Sequence, residues 1–241
     1  MPHLFVNRPR LHDIIGTDPS LKDEFRWETI NAVVYKLGGV VFIIGSILFF
    51  PALSDYADIG AWAFIVGSLL YLLVTGHDMA EVIRQMRTER GAATFWQMLE
   101  FIAAITYLVG TLLFTLGSLF FLSRFGHFIA GAWCFVIGSL LFVVGATINV
   151  LQIVRASDIA TLQLMNLTAL TFVTGSLLFT VASLPYLWHA ENPVDRRMID
   201  AFLAWQYLVG SALFLLGGIF NYSRARRVIR KAIAAHRPHH R

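Results

Sequence analysis

Six stretches of this chain, roughly residues 29–53, 60–77, 95–122, 128–150, 161–188 and 201–221, contain only two side chains charged at neutral pH, Lys36 and Glu100. Each stretch meets or approaches the ~20 residues with which a helix crosses ~30 Å of hydrocarbon. A segment in lipid must satisfy its backbone polar groups internally, as a helix or as part of a closed barrel. Barrel strands alternate apolar and polar residues, and these runs do not. The expected fold class is therefore all-α integral membrane, with six transmembrane helices. Composition agrees, since 14% of residues are charged against about 25% in soluble domains, and mean hydropathy is +0.65.

The first 28 residues are polar, and the apolar run after them is too long for a signal-peptide core, so no cleavable leader is expected. Within this segment, Thr17-Asp18-Pro19-Ser20 has the form of a helix start. Leu21 to Trp27 reads as a short interfacial helix leading into the first span. The single cysteine, Cys134, excludes an intramolecular disulfide.

Basic residues set the expected orientation. Arg8, Arg10, Lys22 and Arg26 precede the first run, and Arg84, Arg87, Arg90 and Arg155 follow the second and fourth. Arg224, Arg226, Arg227, Arg230, Lys231, Arg237 and Arg241 follow the sixth. The opposite end carries only Arg124, Arg196 and Arg197. By the positive-inside rule both termini are cytoplasmic. The net charge of +4 then points to anionic lipid headgroups rather than to nucleic acid, for which no soluble domain is present.

The spans are repeats. Ala61 to Tyr71 (AWAFIVGSLLY), Ala132 to Phe142 (AWCFVIGSLLF) and Ala204 to Phe214 (AWQYLVGSALF) are near copies. A shorter Gly-Ser/Thr-x-Leu-Phe string begins at Gly45, Gly110 and Gly175, at intervals of 65 residues. Around Gly67, Gly138 and Gly210, a Trp stands five before (Trp62, Trp133, Trp205) and Asp78, Asn149 or Asn221 eleven after. An Arg stands seventeen after (Arg84, Arg155, Arg227). The unit is a two-helix hairpin repeated three times. Residues 29–90, 91–157 and 158–230 form the repeats, between an N-terminal cytoplasmic or interfacial segment, 1–28, and a basic tail, 231–241. An even number of crossings per unit makes the repeats parallel, unlike the inverted repeats of rocking carriers.

The unit resembles the YrhK-like domain, a bacterial membrane hairpin. The first copy carries Gly45-Ser46-Ile47-Leu48-Phe49, then Gly60-Ala61-Trp62-Ala63-Phe64-Ile65-Val66-Gly67-Ser68 and Arg84. The second carries Gly131, Trp133, Phe135, Gly138, Ser139 and Arg155. The third departs, with Leu203 for the leading Gly, Tyr207 for the Phe and a longer loop. The resemblance covers roughly residues 29–230 and implies an architecture and a bacterial inner (plasma) membrane, not a reaction.

Small residues recur every seven positions, with Gly45, Gly67, Gly110, Gly138, Gly175 and Gly210 at their centre. A seven-residue period keeps one stripe against a neighbouring helix, and small residues supply close packing where lipid removes the hydrophobic drive. These six glycines are the expected helix-packing positions. Lys36 and Glu100 lie nine and ten residues before their glycines, Asn166 nine before Gly175, and Asp78, Asn149 and Asn221 eleven after theirs. At 1.5 Å per residue these six side chains form a candidate polar ring about 14–17 Å from the glycines. Three readings stay open: interhelical hydrogen bonds with a Lys36–Glu100 pair, the end of an ion or proton pathway, and capture of lipid phosphate by Arg84, Arg155 and Arg227.

No catalytic, cofactor or metal site is expected. His77-Asp78 is not repeated, since Ile148 and Phe220 replace His77 in the other copies, and His236, His239 and His240 lie in the tail. The sequence thus points to a non-enzymatic membrane protein with a packing, lipid-interaction or scaffold role, a second membrane protein being a possible partner. The alternative is a channel or solute carrier with a pseudo-threefold path. The chain does not specify an oligomeric state.

Overall fold

The computed structural model describes residues 21–88, 94–151, 153, 156, 158–188 and 192–235. The expected helix start at Thr17–Ser20 and the tail beyond Ala235 lie outside them. Six long helices follow in chain order: α1 Leu21–Leu48, α2 Ala57–Thr88, α3 Phe95–Phe120, α4 Phe128–Leu151, α5 Ile159–Ser183 and α6 Pro193–Ala235. Short 3-10 turns, Pro51–Tyr56 and Leu184–Leu187, close the first and third hairpins. Each helix contains a stretch long and apolar enough to cross a membrane, and no strand occurs among the described residues. Residues 21–27 continue into α1 without a break, and α6 carries its basic extension to Ala235 as one helix.

Local chemistry accounts for several ends. Thr94 caps α3 in a capping box, its backbone N–H donating to Gln97 Oε1 at 2.7 Å while Gln97 N–H donates to Thr94 Oγ1 at 3.4 Å. Asp158 caps α5 by accepting from Thr161 N–H at 3.0 Å. Between α3 and α4 the chain turns at Gly126, whose φ of +62° is the left-handed conformation that glycine adopts without a Cβ clash.

The helices form a closed ring in sequence order, each packing on the next and α6 packing back on α1. The outward faces are apolar at helical spacing: Val33, Leu37, Val40, Ile44 and Ile47 of α1 are each 43–54% exposed. A side chain that prefers to leave water gains nothing from further burial in lipid, so these faces remain on the perimeter. Trp62, Trp133 and Trp205 lie there too, each more than half exposed.

The inside is aromatic. Three residues before and four residues after each repeat glycine stands a Phe or Tyr: Phe42 and Phe49, Phe64 and Tyr71, Tyr107 and Phe114, Phe135 and Phe142, Phe172 and Phe179, Tyr207 and Phe214. All but the partly buried Phe49 are under 5% exposed. Rings from different hairpins meet at the axis: Phe64 lies 6.2 Å from Phe135 and 6.3 Å from Phe179, and Phe142 lies 6.0 Å from Phe214. Six helices of ~10 Å diameter around an axis leave a central space of similar width, and these rings fill it. Each aromatic pair contributes about 0.5–1.5 kcal/mol beyond area burial.

The six repeat glycines are all buried on the seams between the two helices of a hairpin. Partner aromatics take the space beside them, Phe64 at Gly45, Phe42 at Gly67, Phe142 at Gly110, Phe114 at Gly138 and Phe179 at Gly210, with Gly175 against the Gly210 carbonyl. Serines one residue on return their hydroxyls to the helix: Ser46, Ser139 and Ser176 donate to the carbonyls of Phe42, Phe135 and Phe172 at 2.6–2.7 Å. The first and last hairpins are joined where Ser46 Oγ meets Ser211 Oγ at 3.2 Å and where Tyr35 O–H donates to the Phe214 carbonyl at 3.1 Å. At the tips, Asp58 of α2 accepts from Ser123 N–H at 2.9 Å and from its hydroxyl, which ties the first hairpin to the second.

Candidate functional site

The polar layer lies at the end of the ring where α1 begins and α6 ends. Position +11 from the second glycine of each repeat faces inward in all three copies: Asp78, Asn149 and Asn221 are 4%, 2% and 1% exposed. Asn149 Nδ2 donates to Tyr107 Oη at 3.0 Å. Asn221 Oδ1 accepts from Nε and Nη2 of Arg224 at 3.1 and 2.7 Å.

The helices from the first half of each repeat require a correction. Position −10 from their glycines faces inward, and Tyr35, Glu100 and Met165 there are at most 2% exposed. Position −9, which holds Lys36 and Asn166, is turned by a further ~100°. Asn166 is accordingly exposed on α5 and does not join the layer. Lys36 Nζ lies 4.8 Å from the centre of the Tyr222 ring on α6, so the expected Lys36–Glu100 pair gives way to a cation–π contact.

Two charged members of the layer were not anticipated. Arg224 is fully buried, and Glu28, about two turns into α1, is 3% exposed. Glu28 feels the charges of Asp78 and Glu81 on α2 and of Arg224 on α6. In the sequence Arg224 stands among the basic residues after the sixth run, and Glu28 is the last residue of the polar N-terminal segment. Only the return of α6 against α1 brings them together. Burying an arginine is costly unless donors are taken up and a counter-charge is near; Asn221 accepts from Nε and Nη2, and Glu28 supplies the opposing charge.

The candidate lipid-phosphate arginines separate. Arg84 and Arg227 are exposed at this end, and Arg155 lies outside the described residues. Arg227 Nε is 3.7 Å from Asp158 Oδ1, and Lys231 Nζ is 2.6 Å from Asp158 Oδ2. The ammonium of Lys231, with the Thr161 amide, holds the Asp158 carboxyl below the usual aspartate range. The extension of α6 is thereby latched to the N-terminus of α5. His77, beside Asp78, is partly exposed and hydrogen-bonds Asn31 Nδ2 at 3.0 Å. Among the described residues no three His, Cys, Asp or Glu side chains converge as a metal site would require.

Between this layer and the far end the axis is closed by the aromatic rings. The cavity there, lined by Phe42, Ser68, Tyr71, Phe114, Phe142 and Phe214 among others, is about 10 Å³, close to the minimum that holds one water. A much larger space opens at the hairpin tips, where a basin of about 1080 Å³ lies between all three tip loops. It extends from Phe121 and Leu203 near the axis to Trp133 on the perimeter, and Arg196, Asp200 and His127 are its charged or titratable members. The arginine and the tryptophan belong to different hairpins, and only the packing of the hairpins brings them to one basin.

Among the described residues, six helices long and apolar enough to cross a membrane form a ring with a sealed axis and a charged layer at one end, the pattern of a multi-pass membrane protein. The model of the YrhK-like protein family matches residues 25–83 and 97–154, and through these two tandem regions the chain belongs to that family. The matches cover the first two hairpins, the third being the copy that departs from the pattern. No curated protein and no solved structure matches the chain.

Proposed function

We propose that this protein is a non-enzymatic, multi-pass protein of the bacterial inner membrane, with both termini in the cytoplasm. It serves as a rigid lipid-interacting scaffold and does not pass solute along its axis. One observation carries this reading: the twelve repeat aromatics occupy the space that a pathway would need, and the cavity left on the axis is about 10 Å³. Basic residues support the orientation, since Arg84, Arg226, Arg227, Arg230 and Lys231 all stand exposed at the end where α1 begins and α6 ends. There they meet the anionic surface of the cytoplasmic leaflet at about 1 kcal/mol each. The exposed apolar perimeter is available to lipid or to another membrane protein.

The test is flux into proteoliposomes across a panel of ions. No flux above empty vesicles is expected. Flux that changes in Glu100→Gln would instead establish a carrier or channel whose path runs through the buried layer.

A further inference from the structure

We propose that the basin at the hairpin tips binds the headgroup of a zwitterionic phospholipid. The inference rests on the membrane-embedded reading above. The basin, at about 1080 Å³, slightly exceeds the range of about 300–1,000 Å³ that holds drug-sized ligands. It reaches the perimeter at Trp133, which is 51% exposed. Tryptophan on a perimeter favours the headgroup level of a bilayer, so the basin opens where headgroups lie.

Its charges come as a pair. Arg196 and Asp200 stand one turn apart near the start of α6, both on the basin wall, and each lies within the field of the other. Asp200 also acts electrostatically on Tyr186. A guanidinium presents paired donors to a phosphate. A carboxylate beside the aromatic walls of Tyr186 and Trp188 suits an ammonium, which is drawn to ring faces as well as to the negative charge. A purely anionic headgroup would meet the Asp200 carboxylate, and a purely cationic one would meet Arg196. A headgroup carrying a phosphate and an ammonium a few atoms apart is opposed by neither. Phe128 and Trp133 supply an apolar wall for the glycerol and the first acyl carbons.

The test is native mass spectrometry of the full chain in detergent, offered equal amounts of phosphatidylethanolamine and phosphatidylglycerol with identical acyl chains. Wild type is expected to retain the ethanolamine lipid in excess by about threefold, the worth of one partly exposed ion pair. Asp200→Asn should bring the ratio toward one, whereas Arg196→Gln, which removes the contact to the phosphate that both lipids share, should lower the retention of both and keep the preference. Asp55→Asn, an exposed tip carboxylate outside the basin, should keep the wild-type ratio. Equal retention or a preference for the glycerol lipid in wild type would overturn the proposal, as would an Asp200→Asn variant that keeps the wild-type ratio or an Arg196→Gln variant that retains both lipids at the wild-type level. Carbonate extraction keeps the two readings apart: a chain released from membranes would contradict the membrane reading, whereas a retained chain without lipid preference would contradict this site alone.

Discussion

Phe114 occupies the space that any side chain at residue 138 would need: a Cβ built on Gly138 would lie 2.8 Å from Phe114 Cδ2 and 3.0 Å from the Gly110 carbonyl oxygen. The ring cannot withdraw far, because it also stacks on Phe142 at 5.2 Å and meets Phe179 at 5.5 Å. Gly138→Ala should therefore lower stability by about 1–3 kcal/mol, even though alanine is the better helix former by about 1 kcal/mol. Gly138→Leu should lower it further. Gly76 is the control, since nothing lies within 4 Å of a Cβ there, and Gly76→Ala should be neutral or mildly stabilising. Thermal unfolding in detergent reads all three, and an unchanged melting temperature in Gly138→Leu would contradict the seam.

Arg224 gives a different kind of sensitivity. Removing it leaves Asn221 without its donor and strips the positive charge from a layer that holds Glu28 and Asp78. Arg224→Ala should cost about 3–5 kcal/mol, as breaking a buried charge pair does. Adding Glu28→Gln should restore part of that loss, because the charge left behind is then removed. Loss of stability with no restoration in the double variant would mean that Arg224 acts by packing alone.

The Asn149–Tyr107 hydrogen bond is buried and lies between the two helices of the second hairpin. A double-mutant cycle with Tyr107→Phe and Asn149→Leu should return a coupling of about 0.6 kcal/mol, with an upper limit near 1.7. Additive effects would show that the bond contributes nothing net.

How much of this was legible in the sequence depends on what each feature needs. The spans and their hairpin pairing follow from run length and repeat spacing, which are local. The aromatic fill was also written there, as Phe or Tyr at −3 and +4 from six glycines, a signal that attention to small and polar residues passes over. The register of Lys36 and Asn166 required rotation as well as depth, and one residue of offset carries a side chain from the layer to the surface. Arg224, Glu28 and the tip basin were not legible, because the first two meet only through ring closure between residues nearly two hundred apart, and the basin only where all three hairpin tips come together. Composition cannot distinguish a basic residue in a tail from one buried beneath its neighbour.

The latch at Asp158 should respond to pH and salt. Its carboxyl is held below the ordinary value by Lys231, so the folded state favours the ionised form. That contribution is fully present above the usual aspartate pKa of about 3.9 and is lost as pH falls below it. The pair is exposed, so salt should weaken it also. Protection from hydrogen exchange across residues 226–235, taken relative to the unstructured rate at the same pH, should be high at pH 7 and low salt, and lower at pH 3, at high salt or in Asp158→Asn. Equal protection in all four would show that the extension of α6 is not held there.

Closure of the ring is tested most directly at Ser46 and Ser211, whose hydroxyl oxygens lie 3.2 Å apart although the residues belong to the first and last helices. The measurement is oxidative cross-linking of Ser46→Cys/Ser211→Cys in membranes, with Cys134→Ala to remove the native thiol. The structure predicts rapid, near-complete formation of an intramolecular disulfide, seen as a faster-migrating band that reductant removes. A well-inserted double variant that stays uncrosslinked, or that cross-links only between molecules, would contradict the closed ring.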